Sequence, residues 1–167
     1  LIDVGSTTTD IIPIRGGKVA TTALTDHQRL CEGSLVYVGC RRTAVCAVVD
    51  HLQFHGHRIP VMNEWFSTVD DARLVLGLQP DRPADTDSAD RNARTAHFAA
   101  NRLARMIGLD RRDVSLEDAR PLAQQVMQAA RQRIANAAMR LADQRLPIVT
   151  SGHGEDILIV EDEPQVL

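Results

Sequence analysis

Eight consecutive residues near the start of the chain, Asp3-Val-Gly-Ser-Thr-Thr-Thr-Asp10, bring together two carboxylates, a glycine and four hydroxyls. The strand-like run 1–4 leads into them, so a short strand delivers Asp3 to its end. Gly5 lets the backbone turn tightly and approach a ligand closely. The hydroxyls and backbone N–H groups of Ser6, Thr7, Thr8 and Thr9 then suit an anion, because they donate to its oxygens and add no side-chain negative charge. Asp3 suits a Mg²⁺ held through water, or a catalytic water, and Asp10 is named with it as a metal residue. The competing account is an ordinary hairpin whose Ser/Thr tract only supports the turn.

Thr150-Ser151-Gly152-His153-Gly154 repeats the design, with the strand-like run 148–150 ahead of two glycines that flank His153. Glycine there leaves room for a base, a ring or a phosphate. Glycine-rich strand ends are common, and the weight of this one comes from its being the second such turn. Gly5, Ser6, Thr7, Thr8, Gly152, His153 and Gly154 are therefore the expected phosphate-binding residues.

Other residues are open to two accounts. Asn63-Glu64-Trp65 carries the only tryptophan; a lone Trp suits a core anchor, while Glu64 after a strand suits a general base facing a cleft. Cys46, Asp50, His51, His55 and His57 invite a zinc site, yet their spacing fits no firm template and His55-Gly56-His57 suits an exposed hairpin turn. We expect neither structural zinc nor a disulfide. Asp85, Thr86, Asp87 and Asp90 suit Mg²⁺ or a cationic amine, or a solvated acidic loop with capping roles. Arg41 and Arg42 suit a phosphate clamp or a plain surface.

The elements that must position these groups can be read from pattern. Strands are expected at 1–5, through Ile11, Ile12 and Ile14, at 18–22 after a Gly16-Gly17 turn, at 35–38, at 58–62 and at 147–151. The run 46–49 fits strand or helix. Ser67 or Thr68 caps a helix that Gly77 stops, and residues 79–90 form a polar loop. Ala96, Ala99, Ala100, Leu103 and Ile107 recur at helical spacing up to Gly108. A long apolar stripe runs from Ala123 to Leu141, entered either through a Ser115–Asp118 capping box or at Pro121. The helices near 91–107 and 121–144 are expected to flank the sheet, with Gly5 and Gly152 at one shared edge.

The composition is globular, 44% apolar and 25% charged. A net charge of -3 with scattered arginines argues against nucleic acid, and no run reaches membrane-spanning length. Three cysteines without a C-x-x-C pair point to free thiols in a reducing cytoplasm. The chain opens on Leu1, already strand-like, so it is expected to be a piece of a larger fold.

Asp3-Val-Gly-Ser-Thr-Thr-Thr-Asp10-Ile11 resembles the phosphate-2 motif of the sugar kinase, Hsp70 and actin superfamily in its hydantoinase/oxoprolinase form. Ser151-Gly152-His153-Gly154 resembles that superfamily's adenosine motif. The segments Glu32 to Tyr37, Arg42 to Cys46, Pro60 to Thr68 and Ala84 to Asp87 are similar to a narrower group, the tetrahydromethanopterin-linked C1-transfer proteins related to methanofuran building. The resemblance implies an α/β actin/hexokinase-like (ribonuclease H-like) fold, with residues 1–167 as the C-terminal phosphate-binding lobe of a two-lobe protein whose N-terminal lobe is absent here. It implies a transferase that joins an aminomethylfuran diphosphate to a tyramine-type phenol and releases pyrophosphate, with Mg²⁺ as cofactor. Such a chain would be inactive without its other lobe. Two alternatives are an amidohydrolase that uses ATP and a nucleotide-responsive binding or assembly module.

Overall fold

The computed structural model describes residues 1–141 and 147–158. In chain order the strands are β1 (Ile2–Val4), β2 (Thr9–Ile11), β3 (Ile14–Arg15), β4 (Lys18–Val19), β5 (Leu35–Val36), β6 (His51–Phe54), β7 (His57–Pro60) and β8 (Thr150–Ser151). The helices are α1 (Asp26–Glu32), α2 (Val69–Leu76), α3 (Ala96–Arg105) and α4 (Leu116–Leu141). The class is α/β, with a mixed sheet and packed helices. The main sheet has the order β5-β2-β1-β8, in which β1 runs antiparallel to β2 and parallel to β8. Two small hairpins, β3–β4 and β6–β7, stand apart from it.

Side chains alternate across a strand, and the register uses this directly. Ile2 lies opposite Ile11 and Val4 opposite Thr9, all buried, while Asp3 lies opposite Asp10 on the other face. The helices explain the buried side. Ala119, Leu122, Ala123, Val126, Met127, Ala130 and Ile134 are buried at three- and four-residue spacing along α4, which packs on α2, α3, β2 and β6. No helix among the described residues is long and apolar enough to cross a membrane.

Local signals decide the helix ends. Thr68 starts α2, its N–H donating to Asp71 Oδ2 at 2.9 Å, and Gly77 ends it at φ 75°. α3 runs from Ala96 and the chain leaves it at Gly108, φ 80°. α4 begins five residues ahead of Pro121, at Leu116, because Ser115 and Asp118 form the capping box: Asp118 N–H donates to Ser115 Oγ and Ser115 N–H to Asp118 Oδ2, both at 3.1 Å. Pro121 lies in the second turn, where the missing N–H costs one intrahelical bond. Residues 142–144 of the expected helix lie outside the described residues, as do residues 159–160 of the apolar run 157–160 that the sequence offers after the second glycine turn.

Several expectations change. The strand through Ile11, Ile12 and Ile14 splits at Pro13 into β2 and β3, and Gly16-Gly17 turns β3 into β4. The ambiguous run 46–49 opens with a 3-10 turn, Val45–Ala47. Trp65 is 56% exposed and is no core anchor. Phe66 is the partly buried neighbour, with the Arg105 guanidinium 4.2 Å above its ring. α1 was not expected, although Thr25 and Gln28 form its capping box and Gly33 its left-handed C-cap.

Much of the polar loop is exposed, and Asp81 accepts from the Ala96 N–H at the start of α3, as a solvated capping loop would; Asp85 and Asp90, however, are drawn onto buried arginines and are not an open cation site. Arg94 is forked onto Asp70, at 2.8 and 2.7 Å, and reaches Asp85 at 2.6 Å. Arg102, fully buried, meets Asp71 at 2.7 Å and Asp90 at 2.9 Å. Bonds from the Asp87 N–H and Arg94 hold the Asp85 carboxyl below its usual range. Burial pushes Asp90 up, but bonds from Asn92 and Arg102 outweigh it and leave the carboxyl lowered. Burial pushes the Asp71 carboxyl up, against the pull of Arg102.

Candidate functional site

Because β1 and β8 are adjacent and parallel, both end at one edge of the sheet, and residues 5–8 and 152–154 meet there. Gly154 N–H donates to Val4 O at 3.1 Å, and the Ser151 hydroxyl donates to Asp3 Oδ1 at 2.7 Å. Gly152 has φ +97°, and a Cβ on it would lie 2.4 Å from Val4 O and 2.7 Å from Asp3 Oδ1. Only glycine lets the second turn close on the first. The shared edge expected for Gly5 and Gly152 is the one observed. Gly152, His153 and Ser6 are exposed there.

The first turn closes through Gly5 N–H to Thr8 O, 2.9 Å. Residues 38–42 cross its outside as a strap. Cys40 N–H donates to Gly5 O at 2.9 Å, and Arg41 and Arg42 N–H donate to Ser6 O at 3.0 and 2.9 Å. The Thr9 hydroxyl donates to Val38 O at 2.6 Å. Gly39 lies so near that a Cβ would stand 2.5 Å from the Thr7 backbone nitrogen.

The carbonyls of Gly5, Ser6 and Thr8 are thus occupied. The N–H groups of Ser6, Thr7 and Thr8 have no acceptor among the described residues. Three successive free N–H groups, with the Thr8 hydroxyl also unpartnered there, are the donor set that an anion-binding turn requires.

The two acids divide. Asp10 is engaged by Arg29 of α1 in an ion pair, so this carboxylate is a neutralised strut under β2 and not a free metal ligand. Asp3 accepts only the Ser151 hydroxyl and keeps its second oxygen without a partner among the described residues. A lone carboxylate beside an anion cradle fits Mg²⁺, which commonly takes one or two carboxylates and completes its shell with water and phosphate.

Behind the second turn lies a residue the sequence did not flag. Arg73 of α2, 7% exposed, is forked onto Asp156 at 2.7 and 2.9 Å, and its Nη2 donates to His153 O at 3.0 Å. Its Nη1 donates to Cys40 O at 3.4 Å. Burial pushes the neighbouring Cys40 thiol up. Neither Arg73 nor the strap carries a local signal, since their partners lie far along the chain.

Other candidates stand elsewhere. Glu64 is exposed in the bend after β7, and its carbonyl accepts from the Cys46 thiol at 3.6 Å; no contact brings its carboxylate to the glycine turns. Cys46 sits in the 3-10 turn, while His51 and His57 lie on β6 and β7 with His55 in the exposed turn between them. Among the described residues no three His, Cys, Asp or Glu side chains converge as a metal site. The guanidinium of Arg41 is turned to Asp87 at 2.8 Å and Asp85 at 3.3 Å. That of Arg42 is exposed, without a partner among the described residues. Cys31, Cys40 and Cys46 are free thiols.

A family model described as hydantoinase/oxoprolinase matches residues 1–153. Over 164 residues the chain is 32% identical to the (4-{4-[2-(gamma-L-glutamylamino)ethyl]phenoxymethyl}furan-2-yl)methanamine synthase of Methanocaldococcus jannaschii, covering 95% of this chain and 48% of that protein. Over 160 residues it is 29% identical to the protein of the same name from Methanococcus vannielii, covering 95% of this chain and 72% of the relative. The chain spans about half the length of the first relative.

Proposed function

The chain belongs to the hydantoinase/oxoprolinase family, and from that membership and the paired glycine turns we propose that it forms the phosphate-binding lobe of a transferase that builds an aryl ether of the kind its relatives are named for. The lobe is of the actin/hexokinase-like ATPase type, and the activity belongs to the whole protein. The substrates are an aminomethylfuran diphosphate and a tyramine-type phenol. The phenol oxygen bonds to the furan-bearing CH₂ carbon, the bond from that carbon to the diphosphate oxygen breaks with its electron pair, and the phenol proton leaves to a base.

The furan helps the carbon bear positive charge, so stabilising the departing diphosphate is the main catalytic task. The N–H groups of Ser6, Thr7 and Thr8 and the Thr8 hydroxyl donate to its oxygens. Gly152 and Gly154 hold the second turn close, so a ligand meets backbone on both sides. Asp3, oriented by Ser151, would hold Mg²⁺ through water. That ion would supply charge neutralisation to the leaving group.

The observation that carries this reading is the set of unpartnered N–H groups at residues 6–8 beside the half-free Asp3 carboxylate. The test is calorimetric titration of the full-length protein with Mg²⁺–pyrophosphate and, separately, with Mg²⁺–ATP. Thr8→Val should weaken pyrophosphate binding by about 1–3 kcal/mol, the worth of a hydrogen bond to a charged group. Asp3→Asn should lower metal-dependent binding and turnover while leaving the melting temperature nearly unchanged. Unchanged binding in both variants would make the turn purely structural. ATP bound far more tightly than pyrophosphate would move the assignment to an ATP-dependent amidohydrolase.

A further inference from the structure

We infer that Arg73 is a positioning residue for this site, one buried guanidinium that sets the distance between the two glycine turns. The inference rests on the reading above that those turns bind a diphosphate. Arg73 is 7% exposed, and four of its five N–H donors are committed within the protein. Nε and Nη2 grip Asp156, Nη2 also holds His153 O, and Nη1 holds Cys40 O. These contacts join two walls.

His153 is the middle residue of the second turn. Asp156 lies in the 3-10 turn Glu155–Ile157 that follows it. Cys40 lies in the strap, whose N–H groups occupy the Gly5 and Ser6 carbonyls. Arg73 therefore reaches the second turn directly and the first turn through the strap. Its own place is fixed by α2, packed against α3 and α4. Gly154 completes the contact, since a Cβ there would lie 2.4 Å from Cys40 Cβ. The strap and the second turn thus touch each other with Arg73 beneath both.

Lysine cannot replace this. A planar fork with several fixed donors is needed to hold a carboxylate and two carbonyls at once, and an ammonium is a point charge on a flexible stem. A misplacement of about 1 Å in the groups that position a reacting ligand can cost about 10²-fold. Nothing in the relatives' names points to this residue; the geometry alone does.

The experiment compares full-length wild type, Arg73→Lys, Asp156→Asn and a structural control, Leu122→Ala, which is fully buried in α4 and makes no polar bond to either turn. Mg²⁺–pyrophosphate affinity is measured well below the melting temperature of each. Arg73→Lys should lose about 10- to 100-fold in affinity, Asp156→Asn less, and Leu122→Ala almost nothing even where its melting temperature falls further. Amide hydrogen exchange gives a second readout without ligand. The Cys40 and Gly154 N–H groups, bonded to Gly5 O and Val4 O, should exchange faster in Arg73→Lys and Asp156→Asn but not in Leu122→Ala.

If Arg73→Lys fails to fold, Asp156→Asn, which keeps the guanidinium, decides by the same two readouts. Wild-type binding with unchanged affinity and exchange in the Arg73 and Asp156 variants would overturn the positioning role and leave the diphosphate reading standing. Wild type that binds no pyrophosphate would overturn the reading and this inference with it.

Discussion

Gly152→Ala tests the closeness of the two turns most directly. At φ +97° the residue stands where an L side chain is strained, at a cost of about 1–2 kcal/mol. The added Cβ also meets Val4 O at 2.4 Å, and carbon and carbonyl oxygen normally stay about 3.3 Å apart. The second turn must therefore retreat by roughly 0.9 Å from the end of β1. A retreat of that size would open the Gly154 N–H to Val4 O bond, now 3.1 Å, and the Ser151 to Asp3 bond, now 2.7 Å.

With about 1 kcal/mol net for each of the two bonds lost added to the strain, the variant should be about 3–4 kcal/mol less stable than wild type. Gly56→Ala calibrates the strain. Gly56 also has positive φ, +79°, but nothing lies within 4 Å of its Cβ position. It should cost about 1–2 kcal/mol and leave ligand binding unchanged. Urea titration gives the stabilities, and calorimetry of full-length protein with Mg²⁺–pyrophosphate gives the affinities. Equal stability and equal affinity in the two alanine variants would refute the close approach and, with it, the shared edge as the binding site.

Arg102→Met removes the cation from a fully buried pair and leaves Asp71, 3% exposed, without it; a loss of about 3–5 kcal/mol is expected. Adding Asp71→Asn should recover part of that loss in urea titration, because the stranded charge is gone, and a double variant no more stable than Arg102→Met would refute the account. Acid should weaken the fold in part through Asp85 and Asp90, whose folded carboxyls, like those of Glu32, Asp110 and Asp118, titrate below their ordinary values. A lowered carboxyl contributes fully above the unfolded pKa of about 3.9 and loses that contribution as pH falls through the folded value. Stability should thus hold down to about pH 5 and drop below about pH 4. Asp71, raised by burial, works with the opposite sign, so the acid limb should flatten in Asp85→Asn and Asp90→Asn. Denaturant titrations from neutral to acid pH check this, and unchanged slopes would refute it.

What could be read from sequence was local. The Asp3–Asp10 segment shows its strand, glycine turn and hydroxyls within eight residues, and the structure forms the hairpin there. Thr68 with Gly77 and Ser115 with Asp118 state their helix ends in four to ten residues, and both hold. α1 was legible by the same signal, Thr25 with Gln28, and went unread because the helix has no buried residue to give an apolar stripe. The buried arginines were not legible. Arg94 meets Asp70 across 24 positions and Arg102 meets Asp71 across 31, and periodicity carries no trace of such pairs. Asp10 is instructive, because it was expected as a metal residue alongside Asp3, while its charge is met by Arg29 from a helix the pattern did not announce.

One consequence joins these observations. The chain has few aromatics, 3%, and the face of α2 that meets the acidic loop and the second turn is charged: Asp70, Asp71 and Arg73 are all buried. Hydrophobic packing is non-directional, so it can bury a turn without fixing where its N–H groups point. Forked arginine–carboxylate bonds are directional. Asp70 anchors Arg94, Arg94 anchors Asp85, and Asp85 reaches Arg41 in the strap, while three residues along α2 Arg73 anchors His153 and Cys40. The strap over the first turn is therefore tied to α2 by two independent routes. Buried ion pairs add little net stability over apolar packing, so their effect here lies in orientation. Donors must already stand in place when a diphosphate departs, because reorganising them during the reaction would cost what the site is meant to supply.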